Sequence, residues 1–488
     1  MFSKLSFKRF TPSNYTALFF GAFYIFVVAS FKLHDASRSV YFDWFIGVLF
    51  VFASIHILIA WKPIRYRQAI TINFAACFAS FYLADAYVAF DNVMSSATYS
   101  SQNERIAIIK TAERLSIDYD PRTKHAYIQS KNNSYKPFVP LADLMPLNNE
   151  TKLHEPQIFI NASPVMPLNG IGGNYNIVVC NERGDWWTYP ADRYGYNNPD
   201  NIWNLPRLDV AVVGDSYAHG SCLNGKKSFP DLIRTRYPAT ANLGWGSSGP
   251  LAYLGSIKEY LATKKPKVVI FAFFEGNDMV GMNDFKAIEL LTNYLEPGYT
   301  QQLVKNNDEL NGALNEFIKQ QQDKIQTNQD AAIAASDEQI SLKRQDSGPT
   351  FTELISRMFR PDEFLFLRRT INFPDNDRFK PDFRLLEAIL IEAKREVASW
   401  GGEFVFLYLP AQRYIPGQAF NAVRSNVRKL VLGLGISVID GISVFDRFGG
   451  DAKDFHDHRF SHMSEKGHKA IALAVTEYVE ESFSKNAK

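Results

Sequence analysis

Three long apolar stretches open the chain, and from Leu208 onward short apolar runs alternate with amphipathic ones. The first stretches are Tyr15 to Phe31, about Val40 to Trp61, and about Ala69 to Phe90. Their length and apolarity predict three membrane helices over residues 1–90. A cleaved signal peptide is the rival reading of the first window, but two more windows follow at once and no A-x-A-like site is clear. Residues 91–205 are mixed. Strand-like runs such as NIVVC stand among Gly, Asn and Pro, which predicts a small β-containing lead-in. From 206 to 488, LDVAVVGDS, ATANLG, KVVIFAFFEGND, EFVFLYLP and ISVID read as strands. A helical stretch to about Tyr237, then LAYLGSIKEYLATKK, FRLLEAILIEAKREVASWG and the closing SEKGHKAIALAVTEYVEESF lie between or after them. That alternation predicts an α/β domain, a central parallel sheet with helices on both faces. A site would lie beyond the carboxyl ends of its strands. Residues 303–348 are polar and rich in Gln, Asn and Asp, and read as a solvated helical insertion or a mobile lid.

Charge adds orientation and removes one class of function. With 53 basic and 51 acidic residues the net charge is +2, and no basic field of the kind nucleic acid needs is visible. Lys4, Lys8 and Arg9 precede the first window, and Lys62, Arg65 and Arg67 separate the second and third. The positive-inside rule then places the N-terminus in the cytoplasm and everything after about Asp91 across a bacterial inner membrane, in the periplasm or outside. His56 and Asp85 would sit at membrane depth, as helix-packing groups or as a relay. Cys77 reads as a packing residue. Cys180 and Cys222 both fall in the exported part, where an oxidising compartment permits a disulfide.

Four short strings carry candidate chemistry: VVGDSYAHG around Ser216, NLGWGSSGP from Asn242, FFEGNDM around Asn277 and SHMSEKGH around His462. Ser216 follows a strand, where its hydroxyl can face substrate; it needs a base to become a nucleophile. The bland alternative is a serine capping the next helix. His462, on a loop before the last helix, is the candidate base. His456, His458, His462 and His468 with Asp454 and Asp457 invite a zinc reading, but their spacing matches no HExxH-type motif and would leave the GDS string unexplained. His219 and Glu275 flank the strings and read as packing or substrate contacts.

The four strings, in this order, resemble the SGNH subgroup of the GDSL hydrolases. With ADRYGYNNPDNIW before the first string, the chain is similar to a membrane-anchored bacterial branch of that group. The resemblance covers about 181–293 well and the last hundred residues loosely. It implies a flavodoxin-like fold and a serine acyl-transfer site without metal or organic cofactor. Ser216 would be the nucleophile, His462 the base and the Asn277 amide an oxyanion donor. The second string would give a backbone N–H, from Gly246, the nearest glycine, or from Ser247 or Gly249. Arg459 stands where the group usually has the aspartate that orients the histidine. Asp457 or Asp454 could substitute, or a backbone carbonyl could serve in a Ser-His dyad. The expected activity is an esterase acting on O-acyl, chiefly acetyl, groups of envelope or secreted glycans, with a lipid ester as the other substrate class. The alternatives are an O-acyltransferase paired with a membrane acyltransferase, and a silent glycan- or assembly-binding protein.

Overall fold

The structure, a computed structural model, describes residues 118–148, 153–223, 225–338, 381–411, 420–449, 455 and 462–486, together with Ser54 and Ile72. The chain divides into two compact units. One comprises residues 1–107 and 343–379, the other 108–342 and 380–488. All elements below belong to the second.

The expected membrane spans are not supported: among the described residues no helix is long and apolar enough to cross a membrane. Apart from Ser54 and Ile72 the three windows, with His56, Asp85 and Cys77, lie outside the described residues. Of those windows only Ser54 and Ile72 are placed, both helical and exposed. A run of apolar letters counts residues, whereas a span needs one continuous helix of roughly 20.

The lead-in carries two small sheets. Strand β1 (Tyr135–Pro137) is preceded by a short helix, Lys124–Gln129, which Thr123 caps by accepting the Ala126 N–H. A second short helix is Leu141–Leu144. Strands β2 (Ile158–Ile160) and β3 (Ser163–Val165) pair antiparallel. Strand β4 (Asn176–Cys180) pairs parallel with β1 and antiparallel with β5 (Trp187–Pro190), the register shifting between Val178 and Cys180. That irregularity lies where the chain turns out towards Glu182.

The main sheet is parallel throughout. Its strands are β6 (Val210–Gly214), β7 (Thr240–Gly244), β8 (Val268–Phe274), β9 (Glu403–Leu409) and β10 (Ser437–Asp440), in the spatial order β10-β9-β8-β6-β7. The near-continuous apolar lettering follows from burial on both faces. On one face Val210, Val212, Val268, Ile270, Val405 and Leu407 pack with Ile471 and Val475 of the last helix, Glu465–Asn486. On the other, Phe271 and Phe273 stack on Phe406, and Tyr253 meets Phe271 edge-on at 5.2 Å. With all five strands parallel, their carboxyl ends share one edge, and the loops after β6, β7 and β8 begin there.

Much of the polar 303–348 stretch is one helix, Asn307–Glu338. Its first turns bury Leu310, Leu314, Phe317 and Ile318. Asn311 Oδ1 accepts the Gly172 N–H at 2.7 Å, and Asn307 and Asn311 both donate to the Arg193 carbonyl. The helix is thereby fastened to the lead-in.

Candidate active site

Strand β6 ends in Gly214, where a Cβ would stand 2.7 Å from the Ala218 Cβ and 3.1 Å from that of Ala272. This crowding is why a glycine precedes the turn. Asp215 then caps the helix Ser216–His219 by accepting the Tyr217 N–H at 2.9 Å. The cap is therefore Asp215, and Ser216 takes the first helical position, partly open to solvent. Gly220, at φ +75°, ends this single turn, so the helical stretch expected to run to Tyr237 is broken. It starts again at Ser228, the cap of Phe229–Arg236.

Asn277 precedes the helix Asp278–Phe285 at the end of β8. Its Nδ2 donates to Asp215 Oδ2 at 3.2 Å, which sets the amide beside the serine turn. Burial pushes the Asp215 carboxyl up to about 6, against the opposing pull of the Tyr217 N–H, the Asn277 amide and His462. Asp278 closes the turn, accepting from Tyr253 Oη at 2.7 Å and from the Phe274 N–H at 2.8 Å. Burial, then the nearby Asp215 charge, hold its carboxyl well above the usual range. Glu275 lies to one side, buried, with Oε2 accepting the Ala411 N–H.

His462 stands next to the serine turn, its ring 6.0 Å from that of Tyr217. Its Nδ1 lies 2.9 Å from Glu182 Oε2. Glu182 was not among the sequence candidates. It sits in the turn between β4 and β5, and three ties hold that turn in place, two to the histidine loop and one to the segment after the serine turn. One is its own bond to His462, one is Arg183 Nη2 donating to the Met463 carbonyl at 2.9 Å, and one is a Cys180–Cys222 disulfide. A carboxylate on Nδ1 favours the tautomer with the proton on that nitrogen, the one in which Nε2 can act as a base, and stabilises the imidazolium that then forms. Asp454, His456, Asp457, His458 and Arg459 lie outside the described residues. His468 is buried in the last helix and accepts the Phe229 N–H on Nδ1 at 3.1 Å, which gives it a packing role. Glu182, Cys222 and His462 gather their donor atoms within 4.8 Å, but the Cys222 sulfur is engaged in the disulfide and does not offer a thiolate to a metal.

The second string turns sharply after β7. The Trp245 N–H donates to the Gly214 carbonyl at 2.9 Å, stitching this turn to the end of β6. Ser247 holds φ +59°, and Gly249 caps the helix Pro250–Ser256. The N–H groups of Ser216, Gly246, Ser247 and Gly249 find no acceptor among the described residues. An N–H group without a protein acceptor can serve an oxyanion site, and Ser247 of this set is exposed to solvent.

His219, three residues after the serine, is wholly buried inside four rings: Phe138, Trp187, Tyr189 and Trp245. Burial first, and His462 second, push its imidazole down to about 3, so it is neutral and acts as a packing ring under the turn.

No protein-family model matches this chain, and no curated protein does. Solved structures resemble it at low identity. A GDSL-like lipase from Bacteroides thetaiotaomicron shares 9% identity, over 56% of this chain and 88% of its own, with a TM-score of 0.29. An acetylxylan esterase from Geobacillus stearothermophilus shares 10%, over 56% and 96%, at 0.29. An alpha/beta hydrolase from the metagenome of Lake Arreo, Spain, shares 12%, over 57% and 98%, at 0.30. These are hydrolases and esterases that the chain resembles, at TM-scores too low for the likeness to assign its chemistry.

Proposed function

We propose that this chain is a serine acyl-ester hydrolase. The observation that carries the reading is the Glu182–His462 bond beside the serine turn. Ser216 Oγ attacks the ester carbonyl while His462 Nε2 takes its proton. The carbonyl electrons move onto oxygen, and the open N–H groups of Ser216 and the second string, with the Asn277 amide, receive that charge. Collapse of the adduct breaks the C–O bond; His462 returns the proton to the leaving alcohol, and an acyl-serine remains. Water, deprotonated by the same imidazole, releases the acid. In its finer form the ester is an O-acetyl group on an envelope or secreted glycan. The Cys180–Cys222 disulfide supports an oxidising compartment for this work.

The test is a fluorophosphonate probe on the full chain under non-reducing conditions, with the modified peptide read by mass spectrometry. Modification of Ser216 that disappears in His462→Ala is the expected result. A folded chain that is labelled elsewhere, or equally without His462, would overturn the reading.

A further inference from the structure

A groove of about 490 Å³ lies between the Lys124–Gln129 helix, β1, the Leu141–Leu144 helix and the long Asn307–Glu338 helix. Its polar lining is Lys124, His125, Asp143, Gln157, Gln321 and Gln322. Apolar side chains, among them Ile128, Phe138, Val139, Phe317, Ile318 and Ile325, make up the larger part of the lining. Near one end Gln129 Nε2 donates to Gln326 Oε1 at 2.8 Å, bridging the two helices.

The polar groups facing this groove are not matched to one another. The Lys124 ammonium stands 6.0 Å from the centre of the Phe138 ring and feels Asp143 through space, but has no hydrogen-bond acceptor among the described residues. Burial pushes it down to about 8, and pushes Asp143 up. His125 Nε2 is buried without a partner among the described residues. Filling the groove with an acyl chain would cover its apolar lining but leave the Lys124 ammonium and the His125 Nε2 without a hydrogen-bond partner, which is unfavourable. An occupant that brings acceptors for Lys124 and also presents an apolar face suits both parts of the lining. A pyranose ring does both. Its hydroxyls donate to Asp143 and accept from Lys124, its C–H face lies on the aromatic ring, and the glutamine amides complete the set.

The groove is also next to the candidate site. The Phe138 ring stacks on Trp245 at 4.4 Å, and its Cζ is 3.1 Å from where a Cβ on Gly246 would be. One aromatic ring separates the groove from the second string.

We infer that this groove is a carbohydrate subsite that holds a neutral sugar unit of the ester-bearing glycan; the glycan rests on the function proposed above, the binding chemistry on the groove itself. The experiment is calorimetric titration of the full chain with xylohexaose, cellohexaose, chitohexaose and, separately, dodecanoate. Hydrolysis of p-nitrophenyl acetate is followed in parallel. At least one hexasaccharide binds, and Lys124→Met and Gln321→Ala each weaken it by about tenfold or more, while acetate-ester turnover is unchanged and melting temperature does not fall. Binding of none of the three sugars, sugar binding indifferent to both variants, or dodecanoate occupying the groove in their place would overturn the inference. Sugar binding by a chain without esterase activity would leave the subsite standing and remove the hydrolase reading instead.

Discussion

Glu182 decides how His462 behaves, because its carboxylate holds Nδ1 at 2.9 Å. Replacing it with glutamine keeps the shape but lets an amide N–H face Nδ1, which favours the tautomer with the proton on Nε2, where no base is then available. Glu182→Gln is expected to lower kcat by about 100- to 10,000-fold with KM and melting temperature little changed. Steady-state kinetics on a soluble acetate ester measures this, and an unchanged kcat would make Glu182 a structural residue only. The strings around Ser216, Asn277 and His462 are legible in the sequence because each sits where a strand or helix boundary is legible. The carboxylate is not. Sequence reasoning looks near His462, to Asp454 and Asp457, whereas Glu182 is 280 positions away and meets it only through the fold. The signal that exists is NIVVCNERG, a carboxylate just past a strand end, beside a cysteine with a possible partner at Cys222.

At the scale of elements, the short Ser216–His219 helix is held from below by β7. A Cβ on Gly244 would stand 2.3 Å from the His219 N and 2.5 Å from the Ala218 C. Both are backbone atoms of the helix that presents the serine, so neither can swing aside. Gly244→Ala is expected to cost about 1–3 kcal/mol of stability by overpacking and to displace Ser216. Urea unfolding together with the fluorophosphonate labelling rate tests both effects; full labelling at wild-type speed would show that the helix accommodates the methyl. The alternation of apolar strands and amphipathic helices after Leu208 made the parallel sheet legible, because burial on both faces writes continuous apolar runs. The lead-in sheet was less so. Its strands are three to five residues long, and β1 pairs with β4 across some forty positions of turns, so no periodic signal fixes its order. The N-terminal windows mark the converse error, apolar lettering taken for a span.

Across the whole molecule, the candidate site is shared. The lead-in gives Glu182, the first half of the parallel sheet gives Ser216 and Asn277, and the loop before the last helix gives His462. The Cys180–Cys222 bond joins the lead-in to the loop just after the serine turn, closing 42 positions of chain. Loop-closure entropy for that length is worth about 4 kcal/mol. Cys180→Ser with Cys222→Ser is expected to lose stability of that order and to slow Ser216 labelling, because Glu182 is only two residues from the bond. Reduction of the unaltered chain should reproduce both effects. Retention of full labelling after confirmed reduction would show that the other two ties are enough.

The order of these parts along the chain has a consequence for how the protein is made. Glu182 and Ser216 leave the ribosome long before His462 does. If His462 is the base, as proposed, the serine remains an ordinary alcohol until the histidine loop emerges and docks, however well its own turn has folded. On the function proposed above, acyl transfer begins only after the histidine loop has been made, and a product that stops before His462 carries the serine without its reactivity.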